Sequence, residues 1–366
     1  MGSRAAPRGA VVTLVEGGSF CVSGPSGDIT DSASSGPGGL FVGERRVLSR
    51  LVLTVNEQPL EPVDHHVDDP AAVTFVGRAS AAVPDAGMPA AIGPSPVVVR
   101  RRTLGAGLRD HVEVRNVGPE PSYVEVVVEV AADLAPLAAV RSGRQHVVRR
   151  GAESEDASAA GSGAGEAGVE PSVAGPGEVL LVRGRGPNRV GCRVTATDGV
   201  AADGGTLRWE AIVPARGTRS FTLVVAPIVE GAELLPGPLL AADPTRSEAA
   251  RQLARWHQNV PRVASDHQPL LTAVRRGAHD LGSLRVLDPD FPERVVLAAG
   301  APWYLALHGR DALLTSWMSL MVDPELALGT LETLARFQGT DVDERTEEQP
   351  GRILHRLRFG APGFAA

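Results

Sequence analysis

Short apolar runs separated by Gly, Pro and Asn punctuate the first 230 or so residues, and several alternate with period two. That is the signature of strands with one buried and one wet face. The clearest run sets Val124, Val126, Val128 and Val130 on one side and Tyr123, Glu125 and Glu129 on the other. Val112 and Val114 precede it, and the turn-rich segment from Asn116 to Pro121 predicts a hairpin joining the two runs. Further strands are expected at Val11 to Glu16, Val47 to Val55, Val73 to Val76, Val97 to Arg102, Val179 to Arg183, Leu207 to Val213 and Phe221 to Val225. Such a series suits a β-sandwich.

The pattern breaks between Gly151 and Glu178, which is Gly, Ala, Ser and acid-rich and offers little apolar surface, so it reads as a disordered insertion between strands. After about Pro238 the period becomes helical, over Ser247 to His257 and Pro269 to Leu287. Asp311 to Val322 is apolar on nearly every face and predicts a helix buried among others. Asp323-Pro324 then opens a helix that stops near Gly339, giving a helical hairpin. The fold class is therefore multidomain, β then α. Residues 1–230 form the N-terminal β-sandwich, 231–265 a linker with a connecting helix, and 266–366 a helical domain.

Charge and cysteine content narrow the function. The 366 residues include 36 basic and 43 acidic side chains, every basic one an arginine, for a formal charge of −7. That balance gives no positive field for nucleic acid. No apolar run reaches the length of a membrane span, and neither Cys21 nor Cys192 lies in a metal-ligand or CxxC spacing. A cytoplasmic protein with free thiols, no metal and no cofactor is expected. Arg100-Arg101-Arg102 reads as a solvated strand edge, and His65-His66 with Asp68-Asp69 as loop residues too divergent to chelate.

The chemistry-bearing segment is Ala301 to Asp311, APWYLALHGRD, where polar groups cluster at the mouth of the apolar helix. One reading is structural, with Asp311 as cap, Arg310 paired to a surface carboxylate and Trp303 in the core. The other is functional, with Trp303 a flat platform for a sugar face and Arg310 and Asp311 bonding neighbouring hydroxyls. Glu347 and Glu348, taken alone, are solvated loop carboxylates.

The segments GPGGLFVGERRVLSRLVLTVN (36–56), VVRRRTLGAGLRDHVEVRN (98–116), APWYLALHGRDALLTSWMSL (301–320) and TEEQPGRILHRLRFG (346–360) resemble bacterial amylo-α-1,6-glucosidases, the glycogen-debranching-type proteins. The resemblance implies an N-terminal β domain followed by the start of a glucoamylase-like (α/α)6 glycosidase domain. It also implies that Trp303, Arg310 and Asp311 contact an α-glucan or oligosaccharide, with Glu347 and Glu348 lining the cleft. An inverting glycosidase needs an acid and a base about 6.5–9.5 Å apart. In relatives both lie in later hairpins of the barrel.

Twelve helices with connections need roughly 200 residues, whereas some 130 follow Pro238. An incomplete (α/α)6 barrel is therefore expected, with its general acid and base missing, helix faces at Leu313, Trp317 and Leu320 uncovered, and little hydrolysis by the chain alone. The alternative is a non-catalytic carbohydrate-binding or interaction module. A glycoside phosphorylase is a third reading, but Gly36-Pro37-Gly38-Gly39 precedes a strand and lacks the helix N-terminus of a phosphate loop.

Overall fold

The computed structural model describes residues 11–32, 36–79, 95–142, 169–197, 200–234, 248–288, 290–291, 293–344 and 347–357. Alternation converts directly into strands. Leu108–Arg115 and Ser122–Ala131 bury every second residue, and Val124, Val126, Val128 and Val130 all face inward while Tyr123 lies outside. The expected strands are present, most of them a few residues longer, as at Thr218–Val229 and Glu178–Arg183. Val47 to Val55 divides into Arg45–Leu48 and Arg50–Val55.

A 13-stranded antiparallel sheet folds over on itself to make the sandwich. One layer runs from Ser172–Gly175 through Thr218–Val229, Leu108–Arg115 and Val97–Leu104 to Gln58–Asp69. The hairpin pairing Val55 with Gln58 turns into the other layer, Arg50–Val55, Ser122–Ala131, Thr206–Val213 and Ala201–Asp203. A single core joins them, with Val112, Val126, Leu181 and Leu223 fully buried. Beside it lies a four-stranded sheet of Val12–Glu16, Ser19–Ser23, Gly39–Val42 and Arg45–Leu48.

Several expectations are corrected. The strands around Val112 and Val126 do not form a hairpin: Leu108–Arg115 pairs with Val97–Leu104 and Thr218–Val229, whereas Ser122–Ala131 pairs with Arg50–Val55 and Thr206–Val213. The turn-rich segment instead crosses between layers. The buried Asn116 amide fixes that crossing by donating to the carbonyls of Glu120 (2.6 Å) and Pro214 (3.2 Å) while its oxygen accepts from Gly118 N–H at 2.8 Å. Part of the expected insertion is ordered, because Ser172–Gly175 forms a strand against Glu178–Arg183; residues 151–168 lie outside the described residues.

The arginine triplet is not a solvated edge. Its strand is flanked on both sides, and alternation points Arg100 and Arg102 inward, where both are fully buried, leaving Arg101 outside. Arg100 meets Asp110 at 2.7 Å and Asp28 at 2.8 Å, and Arg102 meets Asp110 at 2.6 Å. Burial alone would push the Asp110 carboxyl up, but the Arg100 and Arg102 guanidinia outweigh it and hold it at about 2. Cys21 and Cys192 are free and buried, and desolvation raises their thiols to about 11 and about 12, which keeps them un-ionised at neutral pH.

Five α-helices occur among the described residues. α1 (Leu137–Arg141) is a short turn packed on the four-stranded sheet through Leu137 and Val140. α2 (Glu248–Asn259) and α3 (Gln268–Ser283) follow, and Arg285–Leu287, expected to continue α3, pairs instead with Val295–Leu297 as a strand. α4 (Gly309–Met318) packs on α5 (Glu325–Arg336), which has Pro324 at its N-cap and the Asp323 carboxylate just before it accepting from Glu325 N–H at 3.0 Å. α4 is not enclosed by other helices: Gly309, Ala312 and Ser316 are buried, but Leu314, Trp317 and Met318 are exposed. None of the described helices is long and apolar enough to cross a membrane.

Candidate functional site

The two motif segments of the helical region meet. Leu307–His308 forms a two-residue ladder with Arg356–Leu357, pairing His308 with Arg356 directly before α4 begins. Gly309 lets the strands approach. A Cβ there would lie 2.6 Å from the Leu354 carbonyl oxygen, and the Gly309 N–H donates to the His355 carbonyl at 3.3 Å. HGRD and EEQPGRILHR, about 40 residues apart, therefore form one corner.

Aromatic rings continue that corner toward the four-stranded sheet. His308 and His355 meet edge to face at 6.0 Å, and Tyr304 meets His308 at 5.8 Å. Arg141, at the end of α1, donates to the Tyr304 hydroxyl at 2.7 Å. His308 Nδ1 lies 3.2 Å from the Ala306 carbonyl. A carbonyl only accepts, so Nδ1 is the donor in this bond.

The residues singled out from the sequence have different fates. Arg310 stands 87% exposed at the start of α4, its Nε 3.7 Å from Asp311 Oδ1, and Asp311 occupies the first helical turn. These two groups present a donor fork and an acceptor side by side to solvent, a set able to bond adjacent hydroxyls. Glu348 is engaged by its own loop, accepting from the backbone N–H of Thr340 at 2.9 Å. Glu347 pairs with Arg352 at 3.2 Å and holds a left-handed backbone, φ 58°. Gly339 belongs to the same closed loop, where a Cβ would lie 2.4 Å from the Gln349 carbonyl oxygen.

Trp303 is placed elsewhere. Its ring packs edge-on against Phe20 at 6.4 Å and Phe41 at 6.1 Å, which are themselves stacked at 4.5 Å on the small sheet. Val15, Val22, Leu137 and Val140 complete that cluster. Trp303 thus joins the helical region to the β region, and among the described residues no ring contact or hydrogen bond links it to Arg310 or Asp311. From the sequence alone, Tyr304 and His308 had no role of their own and Arg141 was not indicated. Tyr304 and His308 lie within the quoted motif, but nothing local in the sequence marks Arg141. Among the described residues no group of three or more His, Cys, Asp or Glu is arranged to hold a metal ion.

Comparison with known proteins accounts for this architecture. A search of curated proteins finds no match. Among solved structures, that of a candidate kojibiose phosphorylase from the human microbiome matches with a TM-score of 0.53 at 8% identity, covering 89% of this chain and 46% of that one. At that identity the likeness shows the fold alone, and the chain spans about half the length of that protein. The family model for the N-terminal domain of (some) glycogen debranching enzymes matches residues 14–224, more than half of the chain and nearly all of the sandwich. By that match the chain belongs to the family defined by the N-terminal domain of glycogen debranching enzymes.

Proposed function

We propose that this chain is part of a debranching-type, amylo-α-1,6-glucosidase-like glycoside hydrolase acting on α-glucans. The observation that carries the reading is the meeting of the HGRD and EEQPGRILHR segments across the His308–Arg356 pair, with Arg310 and Asp311 open to solvent beside it. In this reading Arg310 and Asp311 bind sugar hydroxyls. The EEQPG loop, stapled by Glu348 and closed by Glu347 and Arg352, forms one wall. Trp303 acts from behind by holding the corner against the β region, and its exposed neighbour Tyr304, gripped by Arg141, offers the ring that a sugar would meet.

The division into a sandwich at 1–230, a linker with connecting helix at 231–265 and the beginning of an (α/α)6 domain at 266–366 is part of this proposal. So is the absence of a general acid and base from the residues of this chain. The free buried thiols fit a reducing compartment such as the cytoplasm.

Calorimetric titration with malto-oligosaccharides and a branched dextrin tests the reading. Binding is expected, Arg310→Ala should weaken it about tenfold, a loss of ~1.4 kcal/mol, and hydrolysis by the chain alone should be undetectable. Absence of binding, or binding indifferent to Arg310 and Asp311, overturns it. A second reading, a non-catalytic carbohydrate-binding or interaction module, draws support from the outward apolar side chains of α4. Glucan binding that is lost in Arg310→Ala but unchanged in Trp317→Gln counts against it.

A further inference from the structure

A hollow of about 410 Å3 lies between α2, α3 and the turn joining them, and its lining shares no residue with the HGRD corner. Its titratable lining consists of Arg262, Arg275, His257 and His279, with no carboxylate, in a chain whose acidic residues outnumber its basic ones by 43 to 36. Among the described residues neither Arg262 nor Arg275 has a carboxylate partner. Leu271, buried, and Val274 supply an apolar wall. The walls are held in place beforehand, because the buried Trp256 of α2 donates its indole N–H to the Ala278 carbonyl of α3 at 2.8 Å.

We propose that this hollow binds a small oxyanion with an apolar body, a carboxylate or phosphate monoester, whose charge meets Arg262 and Arg275 and whose carbon skeleton lies on Leu271 and Val274. Two guanidinia without counter-ions form an attractive field for an anion, and apolar contact with the wall separates such a ligand from a bare ion. The imidazoles of His257 and His279, 4.4 Å apart, complete the polar side. Burial and the neighbouring His279 lower the pKa of His257, Arg285 adds to that effect, and Asp69 of the sandwich opposes it. His257 is therefore uncharged at neutral pH, and a bound anion should draw a proton onto it.

Titration of the full chain with phenyl phosphate, benzoate, inorganic phosphate and benzyl alcohol tests this, with His257 ring resonances followed by NMR. Saturable binding of phenyl phosphate or benzoate is expected, and the tighter of the two identifies the head group. Arg275→Gln, an exposed substitution checked for folding by circular dichroism, should weaken it about tenfold, and ligand should raise the His257 pKa. Malto-oligosaccharide binding should be unaffected by this variant, which separates failure here from failure of the glucan reading. Equal affinity for benzyl alcohol, equal affinity for inorganic phosphate, no saturable binding, or indifference to both Arg275→Gln and Arg262→Gln would each overturn the proposal.

Discussion

In the sandwich, charged side chains lie inside: Arg100, Arg102 and Asp110 are 1%, 0% and 0% exposed. On α4 and the turn after it the reverse holds, with Trp317 68% and Met321 91% exposed. The contrast shows what each region contains. The sandwich brings its own complements together, since Asp110 and Asp28 reach the buried guanidinia and the valine faces of two layers close on each other. In the helical region α4 and α5 bury their facing sides, and among the described residues nothing covers Leu314, Trp317, Met318, Leu328 or Leu331. An apolar patch of that kind marks an interaction surface more often than a solvent face.

The largest effect should come from breaking the sandwich's charge cluster. Asp110→Asn leaves two buried guanidinia short of negative charge and should destabilise by about 3–5 kcal/mol, read from urea unfolding. A loss below about 1 kcal/mol would make the cluster incidental. The same group sets an acid limit. The folded-state pKa of Asp110, about 2, lies below the ordinary value of about 3.9. Its contribution is therefore complete above about pH 4 and is lost as the pH falls toward 2. Thermal melts across that window should decline more steeply for the native chain than for Asp110→Asn.

Next in size is the junction of the two regions. Trp303→Ala should cost about 2 kcal/mol, less than the ~3–5 of a fully buried aromatic, because the ring is only half-buried. Limited proteolysis should then cut the helical region faster. If Trp303 instead served as a sugar platform, the variant would lose glucan affinity at unchanged stability, so a paired measurement decides between the two roles. Gly309→Ala forces a Cβ against the Leu354 carbonyl and should cost about 1–3 kcal/mol. A thermal midpoint unchanged from the native chain would mean that the His308–Arg356 ladder tolerates the spacing. The smallest effect is expected at the exposed face: Trp317→Gln and Met321→Gln should alter stability by no more than about 0.5 kcal/mol. They should nevertheless reduce binding of a hydrophobic dye, and an unchanged dye signal would remove the patch as a surface of note.

Much of the local structure was legible in the sequence. The alternation at Val124 to Val130 placed a strand and its inward face correctly, and Asp323-Pro324 marked the start of α5. The HGRD and EEQPG motifs were visible as motifs, but their contact through the Leu307–Leu357 ladder was not. Neither was the crossing at Asn116, because a turn-rich segment reverses a chain equally well within one layer or between two. Arg100 and Arg102 were misread for a related reason: the arginines are adjacent to solvated patterns locally, while Asp28 lies 72 residues away.

The amino-acid order by itself determined where most strands and helices form and which face of each strand is apolar, because those properties depend on neighbours within a few positions. Tertiary structure decided which charges are buried together, that Trp303 spans two regions, and that Tyr304, His308 and Arg141 stand with the motif residues. Burial and pairing depend on atoms from distant parts of the chain, and local periodicity carries no record of which distant parts will meet.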